Sequence, residues 1–171
     1  MLFRSPRLVY HNTGKGQFKD VSSEMGPGIT EPFSSRGAAL GDYDNDGDID
    51  VLVLNMNDLP SLLRNDGGNK QNWIKVKLIG TTCNRTAIGA RVRVVTGTHT
   101  QMDEVHTGSS VMSQGDLRLH FGIGKAQVID RIEVKWPTTQ KLERFLHVKS
   151  NQILTIKEGS GIIHAVTPQS K

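Results

Sequence analysis

From Gly41 the chain reads Gly41-Asp42-Tyr43-Asp44-Asn45-Asp46-Gly47-Asp48-Ile49-Asp50, which places an aspartate at every second position. Carboxylates this close repel one another unless a cation lies between them, and short oxygen-bearing side chains suit a hard ion that takes about 6–8 oxygens. Counted from Asp42, carboxylates stand at the first, third, fifth and ninth places and glycine at the sixth, as in the first nine places of a calcium loop. In that reading Asp42, Asp44 and Asp46 give side-chain oxygens. Asp48 gives its backbone carbonyl, and Asp50 a carboxylate directly or through water. Gly47 permits the reversal that turns these groups inward. Magnesium is disfavoured because it keeps its waters rather than entering an all-protein cage. The competing reading, a solvated acidic turn, leaves the repulsion uncompensated.

The loop departs from the helix-flanked form of such sites. Its twelfth place holds Val53 instead of a bidentate glutamate, and its flanks, Ala38-Ala39-Leu40 and Val51-Leu52-Val53-Leu54, read as strands. A β-flanked loop without that glutamate is expected to bind calcium weakly, at about 10⁻⁴–10⁻³ M.

The elements that must position the loop follow from apolar periodicity. Ile74, Val76 and Leu78 alternate with lysines, and Ala90, Val92 and Val94 with arginines. Leu117, Leu119 and Phe121 alternate with Arg118 and His120, and Ile132, Val134 and Trp136 with charged residues. Leu154 and Ile156 close the series. Period two with one buried face predicts antiparallel strands, and several at short spacing predict a sandwich or barrel over residues 72–160. By the same pattern the intervening basic residues and His120 are read as a solvated face, not a nucleic-acid surface. Residues 1–71 contain two similar segments, Leu8–Gly14 and Ser61–Gly67, each an apolar strand ending in Asn-x-Gly. Their spacing, roughly 50 residues, is that of a propeller blade. Residues 161–171 are expected to be a tail. The predicted fold is all-β: a partial β-propeller-like calcium-loop repeat followed by an antiparallel β-sandwich.

Composition narrows the function. The chain has 171 residues, a net charge of +4 and one cysteine, Cys83, which excludes an internal disulfide and a cysteine metal site. No apolar run approaches the roughly 18 residues of a spanning helix. Met1–Arg7 is charged and too short in apolar residues for a signal peptide. Catalytic patterns fail one by one. Gly108-Ser109-Ser110-Val111-Met112 lacks the closing glycine of a nucleophile elbow, and Gly122-Ile123-Gly124-Lys125 lacks the remaining features of a phosphate loop. The six histidines show no ligand spacing. No catalytic or organic-cofactor residue is expected. Trp136-Pro137 is expected to end a strand; Trp73 or Trp136 exposed on a flat face would favour carbohydrate binding.

Two resemblances cover nearly the whole chain. Gly41–Asp50, with Asn12-Thr13-Gly14-Lys15-Gly16-Gln17-Phe18 and Asp20-Val21 before it, resembles the FG-GAP/VCBS repeat of integrin-α-type propellers. The later residues Asn84-Arg85, Ala87–Val92, Ser113-Gln114, His120–Gly124 and Val134–Pro137 resemble the ASPIC/UnbV domain of the cartilage acidic protein/UnbV-like family. Thr138-Thr139 replaces the small residues that usually follow Trp-Pro. The resemblance implies a C-terminal piece of an extracellular or periplasmic protein, stabilised by calcium and built for binding or adhesion, with a protein or glycan ligand. It also implies an alternative role in enediyne-like secondary metabolism. Open strand edges raise the expectation of self-association.

Overall fold

The computed structural model describes residues 3–168, and its regular structure is almost all strand. In the first part, β1 (Tyr10–Gly14) and β2 (Gln17–Asp20) form a hairpin. A four-residue helix, α1 (Pro27–Thr30), leads to a three-stranded antiparallel sheet of β3 (Ser35–Gly41), β4 (Asp50–Asn55) and β5 (Ser61–Leu63). The aspartate loop is the β3–β4 connection, so the strands predicted on its flanks are present. Among the described residues this part forms no closed ring. Asn12 and Asn65 do make the same local turn: the Asn12 side-chain oxygen accepts from Gly14 N (2.9 Å), and that of Asn65 from Gly67 N (3.3 Å). The continuations differ. After Gly14 the chain folds back as β2; after Gly67 it passes through a short 3-10 turn into the next sheet.

The second part is a sandwich of two four-stranded sheets. One has the order β13–β12–β6–β9, from β6 (Asn72–Ile79), β9 (Leu119–Gly124), β12 (Gln152–Lys157) and β13 (Gly161–Val166). The other has the order β11–β10–β7–β8, from β7 (Arg91–Thr96), β8 (His99–Glu104), β10 (Val128–Lys135) and β11 (Leu142–Lys149). The alternating residues meet between them. Ile74, Val76, Leu119, Phe121, Leu154 and Ile156 from one sheet pack on Val92, Val94, Ile132, Val134 and Val148 from the other, with Trp136 closing one end.

Two expectations need correction. The sandwich is not wholly antiparallel, because β12 runs parallel to β6 from Gln152↔Ile74 to Lys157↔Ile79. Strand β6 gains this neighbour only after the chain has built the opposite sheet, and it returns in the direction of β6. The expected tail from residue 161 begins with a strand, β13, paired to β12; the last three residues of that tail, 169–171, lie outside the described residues.

The core is lopsided. Every member of the main apolar cluster lies at or beyond Ile74, and among the described residues before it only Trp73 and Val53 are fully buried hydrophobics. The first part is held partly by polar contacts instead. The half-buried Arg7 guanidinium donates to Ser35 Oγ (3.1 Å), Asn55 Oδ1 (3.0 Å), Ser61 Oγ (2.9 Å) and the Gly28 carbonyl, and lies over the Phe33 ring at 4.7 Å. One side chain thereby ties together α1, β3, β4 and β5. Burial lowers its pKa, partly offset by Glu31, and its five-donor fork suits such a junction.

Candidate metal centre

The loop's conformation depends on residues that accept positive φ. Asn45 (φ 59°) and Gly47 (φ 101°) adopt it, and of L-residues asparagine tolerates the region best. These reversals bring three of the five aspartates together: carboxylate oxygens of Asp42, Asp44 and Asp50 lie within 4.8 Å of one another. Asp42 and Asp50 are 1% and 2% exposed.

Each carboxylate is held from behind. Asp42 accepts from Asp46 N and Gly47 N, both at 3.1 Å. Asp50 accepts from Tyr43 N (3.2 Å) and from Asn65 N (2.9 Å), so the turn after β5 closes the back of the loop. The carboxylates of the other two aspartates are not part of this group. Asp46 accepts from Asp48 N at 3.1 Å, shaping the turn, and Asp48 Oδ2 accepts from Gly68 N at 3.2 Å. Asp48 Oδ1 is buried with no hydrogen-bond partner, an expensive condition for a carboxylate oxygen. Burial first, then the charges of Asp46 and Asp50, push the Asp48 carboxyl up to about 6. Sequence reasoning had given Asp48 only a carbonyl role, and no pattern pointed to Gly68 as its anchor.

The loop does not project into solvent. It lies on the outer face of the β6–β9 sheet, where the alternating pattern predicted a solvated row. Lys75, in that row, is fully buried and donates to Asp42 Oδ2; both side chains are 0% exposed. Burial pushes its ammonium below the ordinary lysine value, with Asp42 opposing. Arg118 donates to the Asp42 carbonyl (3.1 Å) and Asn45 Oδ1 (2.6 Å). His120 was read as solvent-facing; instead its Nε2 lies 2.9 Å from the Gly47 carbonyl, and its ring stacks on Trp73 at 5.9 Å. A carbonyl can only accept, so Nε2 carries the proton. Burial lowers the His120 pKa despite that bond. Trp73 packs so closely on Gly47 that a Cβ there would lie 2.1 Å from the ring. The solvated-face expectation therefore fails at Lys75 and His120 for one reason: strand alternation reports which residues share a face, not what later covers it.

A second contact runs beside the first. The β8–β9 connection crosses β3, with Asp116 N donating to the Leu40 carbonyl (2.8 Å) and Ala38 N to Ser110 Oγ (3.2 Å).

The donor set fits a calcium ion. Three convergent carboxylates in a largely buried setting have Lys75 as their nearest buried cation, and a buried oxygen of Asp48 lacks a donor. Residues carrying alternative chemistry do not assemble comparably. His106 and His120 line one cleft with Ser109, Asp103 and Asp116, yet the hydrogen bonds of both imidazoles go to backbone carbonyls, Glu104 for His106 and Gly47 for His120. Trp73 and Trp136 are 5% and 0% exposed, so neither offers a sugar-stacking face.

Fold and site together define an all-β protein in which an acidic loop of a repeat unit is clamped onto a β-sandwich. Residues 4–53 match the FG-GAP-like repeat, and residues 80–163 match the ASPIC and UnbV domain. The chain is 28% identical over 143 residues to cartilage acidic protein 1 of Homo sapiens, covering 79% of this chain and 21% of that protein. It is also 28% identical over 129 residues to the Mus musculus protein of the same name, covering 71% of this chain and 19% of that one. The chain thus spans about a fifth of the length of these curated relatives.

Proposed function

We propose that this chain is a calcium-stabilised, non-catalytic binding module of the extracellular or periplasmic space, whose scaffold displays surfaces to a protein or glycan partner. The observation that carries the reading is the convergence of Asp42, Asp44 and Asp50 on one point of a loop wedged between two structural units. Asp42, Asp44 and Asp50 would hold the ion by side-chain oxygens. Asp46 and Asp48 complete the five-aspartate set, one by shaping the turn and the other with its unpaired oxygen and carbonyl. Bound calcium supplies charge neutralisation and geometric restraint to the cluster. The residues around it do the rest: Gly47 seats against Trp73, and Arg118 and His120 grip the loop's carbonyls. Relatives named for an extracellular tissue support the location, and no helix among the described residues is long and apolar enough to cross a membrane.

The test is thermal unfolding of the chain with calcium varied around ~1 mM, against chelator and against Asp44→Ala. At ten times Kd the native state gains about 1.4 kcal/mol, or several degrees in a chain of this size. A calcium-dependent rise in the native chain that Asp44→Ala abolishes is expected. Identical midpoints with and without calcium would reduce the loop to an acidic turn. The enzymatic and carbohydrate-stacking alternatives lose their support with the backbone-bound histidines and buried indoles described above.

A further inference from the structure

We propose that Lys75 is an internal counter-ion that competes with calcium for Asp42 and sets the affinity of the loop low. The proposal rests on the calcium reading of the loop and goes beyond it to the control of that site.

The argument starts from position. On β6 the outward row is Trp73, Lys75 and Lys77; Lys77 is exposed, whereas Lys75 is sealed beneath the loop. Its ammonium donates to Asp42 Oδ2, and the pair is wholly removed from solvent. Asp42 is one of the three convergent carboxylates. The same carboxylate thus belongs both to the convergent group and to a buried ion pair. Facing Lys75 are His120 of β9, its register partner, and Arg118, the residue before β9, which holds the Asp42 carbonyl. Beyond Asp42, the charged groups acting on Lys75 are Arg118 and Asp116, which pair with each other.

Two consequences follow. Without an ion, Lys75 neutralises one charge of the cluster, so the loop stays folded and docked on the sandwich. With an ion, two cations draw on one carboxylate in a setting that screens poorly, which weakens binding. Removing the ammonium should tighten calcium binding at least tenfold, because the repulsion between a monocation and a divalent ion sharing one carboxylate is about that large even under water-like screening. It should also strip the ion-free loop of its counter-charge, making the fold lean on calcium.

The experiment is calorimetric titration of the chelator-stripped chain with calcium chloride, for the native sequence, Lys75→Met, Lys75→Gln and the exposed control Lys77→Met. Melting temperatures are measured with and without calcium for all four. The expected result is a Kd at least about tenfold lower in both Lys75 variants, within about twofold of native in Lys77→Met, and a larger calcium-induced rise in melting temperature for the Lys75 variants. Equal or weaker binding by the Lys75 variants, with native binding intact, overturns the inference and leaves the calcium site standing. If no chain binds calcium, the calcium reading falls and the inference falls with it. If neither Lys75 variant folds even in excess calcium, the inference is overturned, because the ion should replace the lost counter-charge.

Discussion

Gly47 carries two constraints that no other residue type meets together. Its φ of 101° lies where a side chain is strained, and a Cβ would press into the Trp73 indole. Gly47→Ala should therefore cost about 2–4 kcal/mol, combining left-handed strain with overpacking. Unfolding followed by tryptophan emission would report it twice, as a lower midpoint and as a red shift from Trp73 pushed towards water. An unchanged midpoint and spectrum would mean that the loop is not seated against Trp73. The sequence marked Gly47 for the first constraint only, because its contact with Trp73 joins residues far apart in the chain.

At the scale of elements, Glu158 closes the end of the sandwich. Its Oε2 accepts from the amides of Thr81 (2.9 Å), Thr82 (2.8 Å) and Cys83 (3.0 Å), and Oε1 from Thr139 Oγ1 (3.3 Å). It thus pins the β6–β7 connection and the β10–β11 turn to the end of β12. Burial raises the carboxyl pKa, yet the hydrogen bonds from Cys83, Thr81 and Thr82 outweigh it and hold the group at about 2, against an ordinary 4.5. A depressed folded-state pKa means stability that is full above 4.5 and is lost as pH falls from there through about 2. Melting midpoints measured across that window should fall more steeply for the native chain than for Glu158→Gln, which cannot titrate there. Parallel profiles would show that the carboxylate is not the group being lost. Nothing in the local sequence singled out Glu158, since its amide donors lie more than 70 residues earlier.

At the scale of the molecule, stability is unevenly divided. The sandwich owns the apolar cluster, while the first part exposes Leu8, Tyr10, Phe18, Leu52, Leu54 and Leu62 and relies on Arg7 and the docked loop. Segments with few buried apolar contacts open first. Limited proteolysis in chelator should therefore cut before Asn72 while the sandwich survives, and millimolar calcium should slow that cleavage by about tenfold. Cleavage at equal rates in both halves, or indifferent to calcium, would contradict this division. Exposed apolar residues and the open edge at β5 also keep self-association through strand edges in view, which sedimentation at rising concentration would detect.

By itself the sequence determined the all-β class, the inward rows of the sandwich strands and the aspartate loop with its strand flanks. These are local: alternation fixes which side chains share a face, and carboxylate spacing fixes what can be gathered in one turn. Only the tertiary structure decided that the outward row of Trp73, Lys75, Arg118 and His120 is covered, that β12 lies parallel to β6, and that Asp42, Asp44 and Asp50 are the three aspartates that converge. Each of these depends on which distant segment arrives against a given face. That is settled by packing over the whole chain, and a periodic pattern carries no record of it.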